Sequence, residues 1–159
     1  MPAQPAYTYS PRKHWYTFME IVAECSLHDL KDAKAIAKQE LSTSKDVGWA
    51  IPLGYALWRE QLYQEALDAL DKAKFYADKD AQYNIIIGMT ARQIKGKENL
   101  AKEAYLRALK IDPYRGDVYY NYANLIRDIN PEKAERAYLI SLRLESKSSL
   151  TWHNLGLAL

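Results

Sequence analysis

The chain is poor in the features that mark secreted, membrane-spanning or catalytic proteins. Only one cysteine, Cys25, occurs in 159 residues, so no intrachain disulfide can form and a reducing compartment suits it. The longest uncharged apolar run, WAIPLGYALW at 49–58, is interrupted by Pro52. It is half the length of about 20 residues that a membrane-spanning helix requires. The N-terminal MPAQPAYTYSPRKHW has no apolar core of the kind a signal peptide carries. Neither sign of charge dominates: 22 Lys plus Arg oppose 20 Asp plus Glu, a formal net charge of +2. That balance gives no reason to expect a nucleic-acid or membrane partner. With 48% hydrophobic and 26% charged residues, the composition is that of a folded protein of the cytoplasm.

Groups that could perform chemistry are scattered. His14, His28 and His153 lack the spacing of zinc ligands. Cys25 has no CxxC partner and reads as a packing residue. No glycine-rich phosphate loop is present, and Glu132 and Glu135 sit on a polar helix face with nothing to pair them into an acid–base site. The expectation is no enzyme activity, no metal and no cofactor.

What the chain does have is a period. Aligning WAIPLGYAL from 49, NIIIGMTA from 84, YYNYANLI from 119 and WHNLGLAL from 152 brings four large–small pairs into register. They are Leu53-Gly54, Ile87-Gly88, Tyr122-Ala123 and Leu155-Gly156, spaced by 34, 35 and 33 residues. About twelve residues after each of the first three comes an alanine (Ala66, Ala101, Ala134), then a large residue (Leu70, Tyr105, Tyr138) and a small one (Ala73, Ala108, Ser141). Small residues let helix backbones approach and large ones fill the space opposite, so the pattern predicts antiparallel helix pairs. Asn130-Pro131 reads as an N-cap followed by a first-turn proline, Asp112-Pro113 as a helix end, and Gly96 as a turn. Pro52 requires its helix to start near Gly48–Ala50 or to kink, because an interior proline costs about 3 kcal/mol.

The spacing resembles the tetratricopeptide repeat, with its W-x2-L-G-x2-Y … A-x3-F-x2-A … P pattern, over 47–159. It is clearest in KENLAKEAYLRALKIDPYR and TWHNLGLAL. Asn84 in place of the leading aromatic, Ala123 in place of glycine, and Asp78 and Ser146 in place of the closing proline depart from the pattern. The expected fold is all-α: a right-handed superhelical solenoid of antiparallel hairpins. Its expected parts are an arm at 1–10, a divergent hairpin at 11–46, repeats at 47–80, 81–115 and 116–148, and the first helix of an incomplete repeat at 149–159. That last helix, with Trp152 and Leu155 lacking downstream cover, suggests a longer parent protein. A self-associating open end is the other explanation.

The resemblance implies that the first helix of each pair lines the concave face. That surface would take Ile51, Tyr55, Trp58 and Arg59, then Ile85, Ile86, Met89 and Arg92. It would continue with Tyr120, Asn121, Asn124, Arg127 and Asp128, then His153, Asn154 and Leu157. Asn121 and Asn154 occupy equivalent places, and an amide offers a donor and an acceptor together, matching a peptide backbone. The expected groove is therefore Tyr55, Trp58, Arg59, Met89, Arg92, Tyr120, Asn121, Asn124, Arg127 and Asn154, receiving an extended peptide or partner helix. The plain alternative is that these amides bond only to water. NLG and NYAN also resemble repeats that precede the catalytic domain in O-GlcNAc transferases of the SPINDLY type, which implies a substrate-recruiting arm of a larger enzyme as a second function. The lysine-plus-asparagine pairing of a carboxylate-clamp chaperone adaptor is not evident.

Overall fold

In a computed structural model, residues 31–43 and 46–145 are described. The arm at 1–10, the first helix expected from residue 11, and the segment 149–159 with Asn154 lie outside them. Every regular element among the described residues is helical: α1 (Lys31–Thr43), α2 (Ala50–Arg59), α3 (Tyr63–Asp71), α4 (Ala81–Ala91), α5 (Glu98–Ile111), α6 (Gly116–Ile126) and α7 (Pro131–Leu144). A 3₁₀ turn at Val47–Trp49 leads into α2, and another spans Lys74–Lys79. The chain forms two compact units, 1–77 and 78–159.

Local chemistry explains where the helices begin. Asp46 accepts a hydrogen bond from the Gly48 amide at 2.9 Å and opens the 3₁₀ turn. The α-helix then starts at Ala50, which puts Pro52 in its first turn, where the missing amide is harmless. Asp80 caps α4 through the Tyr83 amide at 3.2 Å, and Asn130 caps α7 through the Lys133 amide at 3.1 Å, with Pro131 following directly. Gly96, at φ 91°, makes the turn between α4 and α5. The Gly96 amide donates to the Glu98 carboxylate at 3.2 Å, and this bond with the Glu98 backbone amide lowers the Glu98 pKa. The α2–α3 turn also has a residue at positive φ, but it is not a glycine. Gln61 sits at φ 64° while its amide and that of Leu62 bond back to the Trp58 and Leu57 carbonyls, closing a Schellman motif.

In the first unit, α1 contributes Ala33, Ala37 and Leu41, all buried, and α2 packs on α3. Gly54 is where these two helices touch, since a Cβ there would lie 2.7 Å from Leu70 Cγ. The second hairpin of this kind, α4 with α5, repeats the contact with a larger partner. A Cβ at Gly88 would lie 2.5 Å from Tyr105 Cε1. In α6 and α7 the pair is Ala123 and Tyr138, both wholly buried. Ile85, Tyr105, Val118, Tyr122, Ala123 and Tyr138 belong to one core that runs through the four described helices of the second unit. Within the second unit, the α4–α5 hairpin thus leaves an apolar flank that α6 and α7 cover. Full burial of each such side chain contributes roughly 1.5–3 kcal/mol.

Two departures matter. α3 stops at Asp71, so Ala73 is buried beyond the helix end instead of inside it as Ala108 and Ser141 are. The amides of Lys72 and Ala73 bond three residues back rather than four, which is the 3₁₀ tightening common at helix ends. Asn84, standing where the repeat pattern has an aromatic, is completely buried. Its amide donates to the Asp80 carbonyl at 2.8 Å, and its side-chain oxygen accepts from Arg107 Nη1 at 3.2 Å, which joins α4 to α5.

Candidate functional site

The groove residues expected from the sequence fall into two described groups, one in each unit. In the first, Tyr55, Trp58 and Arg59 share the last turns of α2. The Tyr55 and Trp58 rings lie 5.9 Å apart at 31°, and Arg59 Nη1 donates to the Tyr55 hydroxyl at 3.0 Å. The Arg59 guanidinium carbon also lies 5.8 Å from the Tyr55 ring centre, within cation–π range. Trp58 is half-buried, and its indole N–H is shielded from water without a hydrogen-bond partner. The same unit holds a hollow of about 390 Å³ whose lining includes Leu41, Leu53, Leu57 and Ala69. Lys34 at its edge is held by Glu60 at 2.6 Å.

The second group belongs to α4 and α6. Residues three and four apart share a helix face, so Met89 and Arg92 line one helix, and Tyr120, Asn124 and Arg127 the other. All five are half-buried. Met89 and Tyr120 pack against the core of the unit. Asn121 is also half-buried, and its side chain makes no hydrogen bond among the described residues. Asn124 differs: its oxygen accepts from the Tyr138 hydroxyl at 2.6 Å. The amide is therefore partly spoken for inside the fold.

Three residues read as inward-facing are not on the surface. Ile51 is 0%, Ile85 3% and Ile86 1% exposed, so they fill the interior. Pro52 and Ile86, which occupy in α2 and α4 the place of Asn121, are both buried. The helical period correctly aligned these positions, but packing closes over that face in α2 and α4 and leaves it partly open in α6.

Two residues of the second group escaped the sequence reading because they were taken as packing residues alone. Tyr138 holds Asn124, and its ring lies 6.2 Å from that of Tyr120 at 60°. Burial raises the Tyr138 phenol pKa, the charges of Arg127 and Arg92 oppose that rise, and Tyr120 adds to it. Tyr105 is pushed up to about 12 by burial, with Arg92 pulling the other way. The signal available in the sequence was tyrosine, rather than phenylalanine or leucine, opposite a small residue. The extra hydroxyl reaches past the helix contact toward the face beyond. Among the described residues no cluster of metal-binding side chains occurs, and no helix is long and apolar enough to cross a membrane.

Paired helices, each with a small residue on the first facing a large one on the second, define an all-α solenoid of the tetratricopeptide type. Solved structures carry the same fold: a crystal structure of MamA matches with TM-score 0.73 and 22% identity over 79% of this chain and 74% of that one. A second MamA crystal structure gives TM-score 0.75 and 21% identity, covering 92% and 81% of the respective chains. The RS-1 double mutant of MamA gives 0.74 and 20%, covering 91% and 83%. No protein-family model matches the sequence, and no curated protein does. These likenesses concern the fold, and the resemblance to SPINDLY-type transferases draws no support from them.

Proposed function

We propose that this chain is a protein-interaction scaffold of an aqueous compartment such as the cytoplasm, and that it holds an extended peptide along the first helices of its hairpins. The observation that carries this is the face of α4 and α6. Met89 and Tyr120 give it an apolar floor, Arg92 and Arg127 give it charge, and the Asn121 amide makes no hydrogen bond among the described residues. Such a face binds backbone through amides and side chains through the floor, and it needs no reacting group. Tyr55, Trp58 and Arg59 would offer a contact of the same kind within the first unit, and Asn154 would repeat the role of Asn121. Asn124 enters through its N–H₂ group, its oxygen being held by Tyr138.

The test is selection of peptides from a random library on the immobilised chain, followed by measurement on variants. Asn121→Ala combined with Asn154→Ala is expected to weaken captured peptides about threefold to thirtyfold, the loss of one or two ordinary hydrogen bonds. Helicity and the melting temperature should not change. Unaltered affinity would remove the amides from the contact.

A further inference from the structure

Tyr138 is wholly buried and so cannot itself touch a bound peptide. Its hydroxyl donates to Asn124, a half-buried residue of α6. The neighbouring hairpins show that packing does not require this pairing. The repeat spacing puts Leu70 and Tyr105 in the place of Tyr138, and Tyr55 and Met89 in the place of Asn124. Leu70 fills its hole with no hydroxyl, and the Tyr105 hydroxyl is buried without a hydrogen-bond partner. Methionine serves α4 where α6 has an amide, although an amide is the poorer helix former. The contact also has a direction. At 2.6 Å it is nearer the O–H···O range of about 2.7–2.8 Å than the N–H···O range of about 2.9–3.0 Å. Turning the amide over would leave the buried phenol proton without an acceptor, the costly way to break a hydrogen bond. The Asn124 oxygen is thereby committed. What remains for a bound peptide is its N–H₂ group, which makes no bond among the described residues.

We infer that Tyr138 is a positioning residue for the peptide contact. By holding the Asn124 oxygen it turns an amide able to give and accept into a donor alone, so this point reads one peptide carbonyl and no N–H. Asn121, three residues earlier on the same helix, keeps both functions. The two amides therefore select different peptide bonds. A bond whose nitrogen belongs to proline has a carbonyl and no N–H; it meets the requirement at Asn124 and leaves half of Asn121 unused. The inference rests on the peptide-holding reading above and adds to it the chemistry of one peptide bond.

Fluorescence anisotropy with the full 159-residue chain tests it, using a dye-labelled peptide from the library selection above. The peptide is resynthesised in two sets. One carries an N-methyl group at each peptide nitrogen in turn, which removes one N–H; the other carries a thioamide at each place in turn, which weakens one carbonyl acceptor. Asn124→Met, which copies α4, should cancel the penalty of one thioamide, about twofold to tenfold, and leave every N-methyl penalty at its wild-type value. Tyr138→Phe frees the amide to turn, so one N-methyl penalty absent from the wild type should appear, again about twofold to tenfold. A substitution that only loosened the fold would weaken all the peptides in proportion and move no ratio between them, and melting curves show that the variants fold. An N-methyl penalty that Asn124→Met cancels, no thioamide penalty that it cancels, or a Tyr138→Phe profile parallel to the wild type overturns the inference. Peptide holding survives each of those results if Asn121→Ala still weakens the parent peptide. Recovery of no peptide from the library overturns the peptide-holding reading and this inference with it.

Discussion

Tyr105 and Tyr138 fill the same place in successive hairpins, and their hydroxyl groups meet different surroundings. Tyr138 reaches Asn124, whereas the Tyr105 hydroxyl is buried without a hydrogen-bond partner, near Arg92. Burial pushes the Tyr105 phenol up to about 12, while a phenol in the unfolded chain titrates near 10. The folded value is the higher one. The neutral phenol's contribution is therefore complete below pH 10 and is lost as the pH climbs through 12. Urea unfolding at a series of pH values should show Tyr105→Phe losing about 2 kcal/mol less than the wild type between pH 9 and 12. At neutral pH the two should agree within about 1 kcal/mol, because removing an unbonded buried hydroxyl is nearly neutral. Parallel pH profiles would show that the phenol does not ionise with unfolding.

At the level of elements, the turns show which rules were readable and which were overridden. Asn130-Pro131 and Gly96 do what their residue types favour, and Pro52 is accommodated because a 3₁₀ turn delays the start of α2. Gln61 breaks the rule. Its left-handed backbone costs roughly 1–2 kcal/mol relative to a residue without a Cβ, yet the Schellman bonds to Trp58 and Leu57 hold it there. Gln61→Gly is expected to stabilise the chain by about 1 kcal/mol, after the greater freedom of glycine in the unfolded state is deducted. For a chain of this length that is a rise in melting temperature of about 2–4 °C. A lower melting temperature would mean that the Gln61 side chain makes a compensating contact.

For the whole molecule, stability in a repeat array is a sum over units and their neighbours, so damage should stay local. Gly88→Ala drives a methyl group into the buried Tyr105 ring, a clash of about 1–3 kcal/mol, offset by up to about 1 kcal/mol of better helix propensity. Hydrogen exchange read by mass spectrometry should show protection falling in α4–α7 before it falls in α1–α3. Uniform loss across both units would indicate one cooperative block instead. The same neighbour logic explains how much of the site was legible. The alignment of Asn121 with Pro52 and Ile86 was visible from spacing. That Pro52 and Ile86 are covered while Asn121 is half open was not, because cover comes from residues distant in the chain.

By itself the sequence determined the period, the order of the helices, and the small–large contacts between them. Those depend on residue volume and on helical spacing, both local properties. Only the tertiary structure decided which stripe of each helix faces out. It buried Ile51, Ile85 and Ile86, bonded Asn84 to Arg107 across 23 residues, and placed Tyr138 of α7 against Asn124 of α6. A helix period fixes which side chains share a face. The rotation of that face is set by the neighbours against which the helix packs.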